Sequence, residues 1–158
     1  MKDSLRTGLG FGLTSAIITT LGLMMGLYSG TGSEIAILGG VITIAIADAF
    51  SDALGIHISE ESKCHTDTRH IWESTISTFF FKFIFAMSFA IPICILELEA
   101  AIYANIVWGF SLLAMFSFYI AKIKDENPLG IIAEHMLIAF VVIVISYLVG
   151  VWVNCTFV

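Results

Sequence analysis

Five long apolar stretches constrain the fold of this chain more than any motif does. They run over about residues 8–28, 35–58, 76–96, 101–121 and 129–153. Each is close to the roughly 20 residues that a helix needs to cross about 30 Å of hydrocarbon. Only 13% of the residues are charged, whereas soluble domains carry about 25%. The sequence therefore predicts an all-α membrane protein, a single domain (1–158) of five transmembrane helices in a lipid bilayer.

The basic residues predict how these helices are oriented. Six of the seven lie outside the apolar stretches, in segments that would all face the cytoplasm: Lys2, Arg6, Lys63, Arg69, Lys122 and Lys124. Cytoplasmic segments are enriched in Lys and Arg, so the amino terminus is expected in the cytoplasm and the carboxyl terminus outside or in a lumen. The seventh, Lys82, lies about two turns into the third span and is expected to reach back toward the cytoplasm. No basic patch suggests a nucleic-acid partner.

Short polar segments separate the apolar stretches. Ser33 is expected to cap the second helix, because serine hydroxyls accept hydrogen bonds from the first turn of a helix. Pro128 suits the first turn of the last helix, where its missing N–H is not needed. The longest polar segment, 59–73, is expected to be a loop.

Two aspartates in the second apolar stretch are the strongest indication of function. Asp48 and Asp52 are four residues apart, so both carboxylates lie on one face of a helix. A buried carboxylate costs several kcal/mol and needs a metal, a proton or another cation as partner. Two interpretations stay open: a site for a transported ion, or a structural ion pair between Asp48 and Lys82.

Other polar side chains fall at a similar depth or at the cytoplasmic ends of the helices. Ser15 and Thr19 share a face of the first span and are expected to line the path of the metal ion. Met24 follows as a soft ligand of that path or as core filler. Glu134 and His135 form a polar spot in the last span, either a proton relay or a helix-interface contact.

A second candidate metal site follows the second span. His57, Glu61 and His65 would share one stripe if that helix continued past the membrane. Carboxylate and imidazole groups suit Fe²⁺, Mn²⁺, Co²⁺ or Zn²⁺. A solvated connector has a similar composition, so both interpretations stay open.

Several short motifs together resemble the vacuolar iron transporter family. Residues 12–26 are similar to its glycine-rich first span, and residues 45–59 resemble its small-residue second span. Pro92 and residues 146–150 are similar to later family features. The resemblance implies a homodimer that exports Fe²⁺ or Mn²⁺ from the cytosol in exchange for protons.

This chain departs from the family pattern at residues that matter for metal binding. Ser15 stands where the family has an aspartate, and Ile56, beside His57, stands where it has an acidic residue. The long cytoplasmic metal-binding domain of the family is reduced to about fifteen residues. Three alternatives therefore stay open: the metal site has moved to the second span, at Asp48 and Asp52, it has changed its selectivity, or it has been lost.

The sequence as a whole favours a proton-coupled divalent-metal transporter of a prokaryotic cell membrane, or of a vacuolar-type membrane in a eukaryote. The metal would be transported cargo, and no permanently bound cofactor is expected. One alternative is a Mg²⁺-dependent intramembrane transferase that uses Asp48 and Asp52, although no second acidic cluster occurs in the other spans. Another alternative is a non-transporting membrane scaffold or sensor.

Overall fold

The computed structural model describes residues 3–64 and 67–157, and they form helices and no strand. The helices are α1 (Asp3–Thr31), α2 (Glu34–Glu61), α3 (Thr68–Ser88), α4 (Ala90–Ile95), α5 (Leu98–Lys124) and α6 (Pro128–Phe157). Helices α3 and α4 are separated by one residue and together form one unit long enough to span a membrane. The described residues therefore contain five helical units that are long and apolar enough to cross a membrane. The predicted all-α fold with five transmembrane helices is confirmed.

The helices extend beyond the apolar stretches from which they were predicted. The largest difference is at the third span, where α3 begins at Thr68 and not near residue 76. Asp67 caps this helix, because its side chain accepts a hydrogen bond from the backbone N–H of Arg69 at 3.4 Å. The expected loop over 59–73 is wrong for most of its length, since both neighbouring helices continue into it.

The other helix ends follow their local sequence. Ser33 caps α2 as predicted, and its Oγ accepts from the N–H of Ala36 at 3.3 Å. Gly32, with φ of +59°, makes the turn before that cap. Pro128 is the first residue of α6, as predicted.

The third unit is interrupted between α3 and α4. Pro92 lacks the N–H that would bond to the carbonyl of Ser88, and the helix breaks at Phe89. Two side chains of α5 support this break: the Nδ2 of Asn105 donates to the carbonyl of Phe89 at 3.0 Å, and the Nε1 of Trp108 donates to the Oγ of Ser88 at 3.0 Å.

Helix α1 lies at the centre of the bundle and packs against α2, α3, α5 and α6. Its glycines permit the close approaches. A Cβ on Gly12 would lie 2.9 Å from the carbonyl oxygen of Thr78 in α3, and one on Gly30 would lie 3.4 Å from Gly150 in α6. These glycine-lined contacts of α1 therefore lie within the subunit.

The outer surface of the bundle is apolar. Large side chains such as Phe50, Phe80, Val107, Met115 and Phe140 are exposed. An apolar surface of this extent is compatible with a lipid bilayer and not with water.

Candidate cation site

A lysine lies buried in the middle of the bundle. Lys82 is fourteen residues after Thr68 along α3, which is about 21 Å along the helix axis. Its side chain is fully buried, so the expectation that it reaches back toward the cytoplasm is wrong. An isolated ammonium in this position would be strongly unfavourable, and its partners therefore define the site.

The two aspartates of α2 are the anionic partners of Lys82. The Nζ atom lies 2.5 Å from the Oδ2 of Asp48 and 3.0 Å from the Oδ2 of Asp52. Spacing of four residues brings both carboxylates to the same side of α2, as predicted. The ammonium thus occupies the position between two carboxylates.

Two hydroxyls of α1 complete the surroundings of the ammonium. The Nζ of Lys82 donates to the Oγ of Ser15 at 2.7 Å and to the Oγ1 of Thr19 at 3.0 Å. The hydroxyl of Thr19 donates its own proton to the carbonyl of Ser15 at 2.8 Å, which leaves a lone pair for the ammonium. We refer to Lys82, Asp48, Asp52, Ser15 and Thr19 as the Lys82 cluster.

Small side chains allow the three helices to meet at this point. Ala16, Ala45 and Ala86, one from each of α1, α2 and α3, are fully buried and form one apolar cluster. Gly12 lies against the backbone of α3, where a Cβ would be 3.0 Å from the backbone nitrogen of Lys82. The short distances within the Lys82 cluster depend on these residues.

The cluster carries an excess of negative charge. One ammonium faces two carboxylates, so the formal charge is −1 when all three groups are ionised. The Oδ2 atoms of both aspartates are buried, and within the described residues they accept no hydrogen bond besides their contact with Lys82. The arrangement holds a cation strongly, because Coulomb attraction is large where water is excluded.

One side of the cluster opens to the surface of the bundle. Asp48, whose side chain is 26% exposed, borders a groove of about 620 Å³ between α1 and α2. Thr43 and Ser51 line the same groove. Polar side chains at this depth do not normally face lipid. This groove is one accessible side of the Lys82 cluster, and Thr19 borders a second groove, of about 650 Å³, between α1 and α6.

The predicted soft ligand of the first span lies elsewhere. Met24 is fully buried and packs in the apolar core with Leu21, Phe89 and Ile93. The structure therefore places Met24 with core-filling residues, which was one of its two interpretations.

The predicted metal-capture stripe at the end of α2 is not assembled within the described residues. The Nδ1 of His57 lies 3.0 Å from the Oγ1 of Thr75, and its ring packs edge-on against Trp72. Glu61 is exposed, and His65 lies outside the described residues.

A different acidic residue near the end of α2 is buried. The side chain of Glu60 is 5% exposed, and its carboxylate lies 2.6 Å from the Nζ of Lys63 and 3.5 Å from the Nε2 of His70. The spacing of Glu60 and Lys63 could have indicated the first contact. Nothing in the sequence indicated the second, because it depends on how α3 packs against α2.

The polar spot of the last span forms a contact between helices. The Oγ of Ser117 donates to the carbonyl of Leu113 at 2.6 Å, so its proton is already used. The Nδ1 of His135 lies 2.8 Å from this Oγ, which can accept a hydrogen bond from Nδ1 when that nitrogen carries a proton. Glu134 is exposed.

Residues 3–64 and 67–157 contain no group of three or more His, Cys, Asp or Glu side chains that could hold a metal ion. A metal at Asp48 and Asp52 would bind two carboxylates and complete its coordination with water, as Mg²⁺-like cations commonly do. No protein-family model matches this sequence, and no curated protein matches it. The resemblance to vacuolar iron transporters stays a prediction.

Proposed function

We propose that this protein is a membrane transporter that exports divalent metal ions such as Fe²⁺ or Mn²⁺ from the cytosol in exchange for protons. The observation that supports this proposal is the position of the Lys82 ammonium between two carboxylates inside the bundle. Intramembrane ionisable residues commonly mark ion pathways and proton relays.

In this proposal Lys82 is a tethered cation that competes with the cargo. The two carboxylates require a positive partner, and hard oxygen ligands suit Mn²⁺ and Fe²⁺. When the metal binds to Asp48 and Asp52, the ammonium moves away on its flexible stem. Protons compete with the metal at the same carboxylates, because a carboxylate must be ionised to bind a metal ion.

The proposed transporter works as a homodimer. The groove between α1 and α2 exposes Asp48, Thr43 and Ser51 on the outer surface. A second copy packed over this groove would shield these groups from lipid and enclose a path to Asp48. The positive-inside pattern supports an amino terminus in the cytoplasm, and we propose a prokaryotic cell membrane as the location.

Metal uptake by proteoliposomes tests the proposal. The variants Asp48→Asn and Asp52→Asn keep the side-chain shape but remove one negative charge each, and we expect each to lower the Mn²⁺ flux at least about tenfold, the factor for about 1.4 kcal/mol. Asp125→Asn is the matched control, because Asp125 is exposed and its φ of 56° suits asparagine. Wild-type flux in both intramembrane variants would contradict the proposal.

One observation favours a non-transporting scaffold as the second candidate. The three N–H groups of Lys82 face four oxygen atoms, so the cluster is also satisfied as a fixed structural contact. A ligand that binds only the folded state raises its stability. A scaffold predicts no thermal stabilisation by Fe²⁺, Mn²⁺, Co²⁺ or Zn²⁺ at saturating concentrations, whereas a transporter predicts stabilisation by at least one of them.

A further inference from the structure

The Lys82 cluster has two chemically different sides. Asp48 and Asp52 approach the ammonium from α2, and Ser15 and Thr19 approach it from α1. The α2 side is anionic and can bind any cation. The α1 side has only neutral hydroxyl oxygens, which bind an ammonium but add no charge.

An incoming metal ion at the carboxylates requires the ammonium to move. Two cations cannot share the same two oxygens at short range, because their repulsion is large in a medium of low dielectric constant. A buried ammonium that loses both carboxylates and gains nothing would incur a large desolvation cost. The displaced ammonium therefore needs partners that remain in place.

We propose that Ser15 and Thr19 are positioning residues that hold the Lys82 ammonium when a metal ion occupies Asp48 and Asp52. This inference rests on the proposed function. It differs from the prediction from sequence, in which Ser15 and Thr19 line the metal path.

Two features of the α1 side support this role. Both hydroxyls already contact the ammonium, at 2.7 and 3.0 Å, so an ammonium that swings away from α2 at these distances keeps two hydrogen bonds while the carboxylate contacts break. The hydroxyl of Thr19 is also preorganised as an acceptor, because its proton is donated to the carbonyl of Ser15. The formal charge changes from −1 to +1 when a divalent ion binds, so neither state leaves more than one charge uncompensated.

A cycle of variants in the detergent-solubilised full chain separates this role from a purely structural one. The first variant combines Ser15→Ala with Thr19→Val, the second is Lys82→Met, and the third carries all three changes. The measured quantity is the Kd for Mn²⁺. We expect the α1 double variant to bind Mn²⁺ about tenfold more weakly than wild type. In the Lys82→Met background the same two changes should leave the Kd unchanged within about twofold, because no ammonium remains to be held.

The conservative variant Ser15→Thr keeps a hydroxyl and is expected to retain the wild-type Kd. Ser111→Ala in α5 is the matched control, since among the residues that the structure describes the hydroxyl of Ser111 bonds only to its own helix, at the carbonyl of Val107. If Lys82→Met does not fold, Ser15→Ala against Ser15→Thr still tests the inference. The inference would be overturned if Ser15→Ala and wild type had equal Kd values for Mn²⁺. It would also be overturned if removal of the α1 hydroxyls weakened Mn²⁺ binding equally with and without Lys82.

The same measurements distinguish failure of this inference from failure of the proposed function. Wild-type protein that binds no divalent metal contradicts the transporter itself. Wild-type binding that is indifferent to the α1 hydroxyls contradicts only the role of Ser15 and Thr19.

Discussion

At the scale of single residues, Lys82 provides the positive charge that pairs with the two carboxylates inside the bundle. Its ammonium is buried, contacts two carboxylates and donates to two hydroxyls. Burial of such a group is unfavourable by itself, and the attraction between the ammonium and the two carboxylates offsets that cost. Removing one member should therefore be more harmful than removing all of them.

The variant Lys82→Met tests this dependence. It keeps the length of the side chain but leaves Asp48 and Asp52 without a cation, and we expect a loss of about 3 kcal/mol in the free energy of unfolding. Adding Asp48→Asn and Asp52→Asn to this variant should restore most of the loss, because no unpaired charge remains. Thermal unfolding in detergent measures both, and a triple variant less stable than Lys82→Met would contradict the electrostatic account.

The sequence indicated four of the five residues of this cluster. Asp48 and Asp52 stand out because charged residues four apart are rare within an apolar stretch, and Ser15 and Thr19 were recognised by their shared face. The contact between Asp48 and Lys82, one of the two interpretations left open, is present. The full burial of Lys82 was not predicted, because the start of α3 was placed eight residues too late. Which way a side chain turns also depends on the neighbouring helices, and a single sequence does not reveal their packing.

At the scale of helices, glycine determines where α1 approaches its neighbours. Gly12 lies against α3 beside the Lys82 cluster, whereas Gly39 in α2 has no atom within 4 Å of the position a Cβ would take. The close contacts of the α1 glycines are with α3, at Gly12, and with α6, at Gly30. The break after Ser88 was not predicted, since Pro92 alone does not reveal that Asn105 and Trp108 would support it.

The pair Gly12→Ala and Gly39→Ala tests the packing. A Cβ at Gly12 would lie 2.9 Å from the Thr78 oxygen, so α1 and α3 must separate, and we expect a loss of about 1–3 kcal/mol. At Gly39 the added methyl meets open space and should be neutral or slightly stabilising. The measurement is again thermal unfolding in detergent. Equal effects of the two substitutions would show that the contact between Gly12 and α3 does not contribute to the free energy of unfolding.

At the scale of the whole molecule, the described residues form five apolar units around an apolar core, with one small polar cluster between α1, α2 and α3. The number of crossings could be predicted from sequence, because about 20 consecutive apolar residues are sufficient to indicate a span. The order of helix packing could not, since apolar residues on every side of a span give no preferred face. The central position of α1 brings its hydroxyls next to the aspartates of α2 and the lysine of α3.

This three-helix arrangement leads to the central claim, that the Lys82 ammonium occupies a position that a divalent cargo ion can take. The most direct test is anomalous scattering from crystals soaked in Mn²⁺. The account predicts a peak between the carboxylates of Asp48 and Asp52, with the Nζ of Lys82 withdrawn from both carboxylates and still in contact with Ser15 and Thr19. No peak at that position under saturating Mn²⁺, with the ammonium still in contact with both carboxylates, would contradict it.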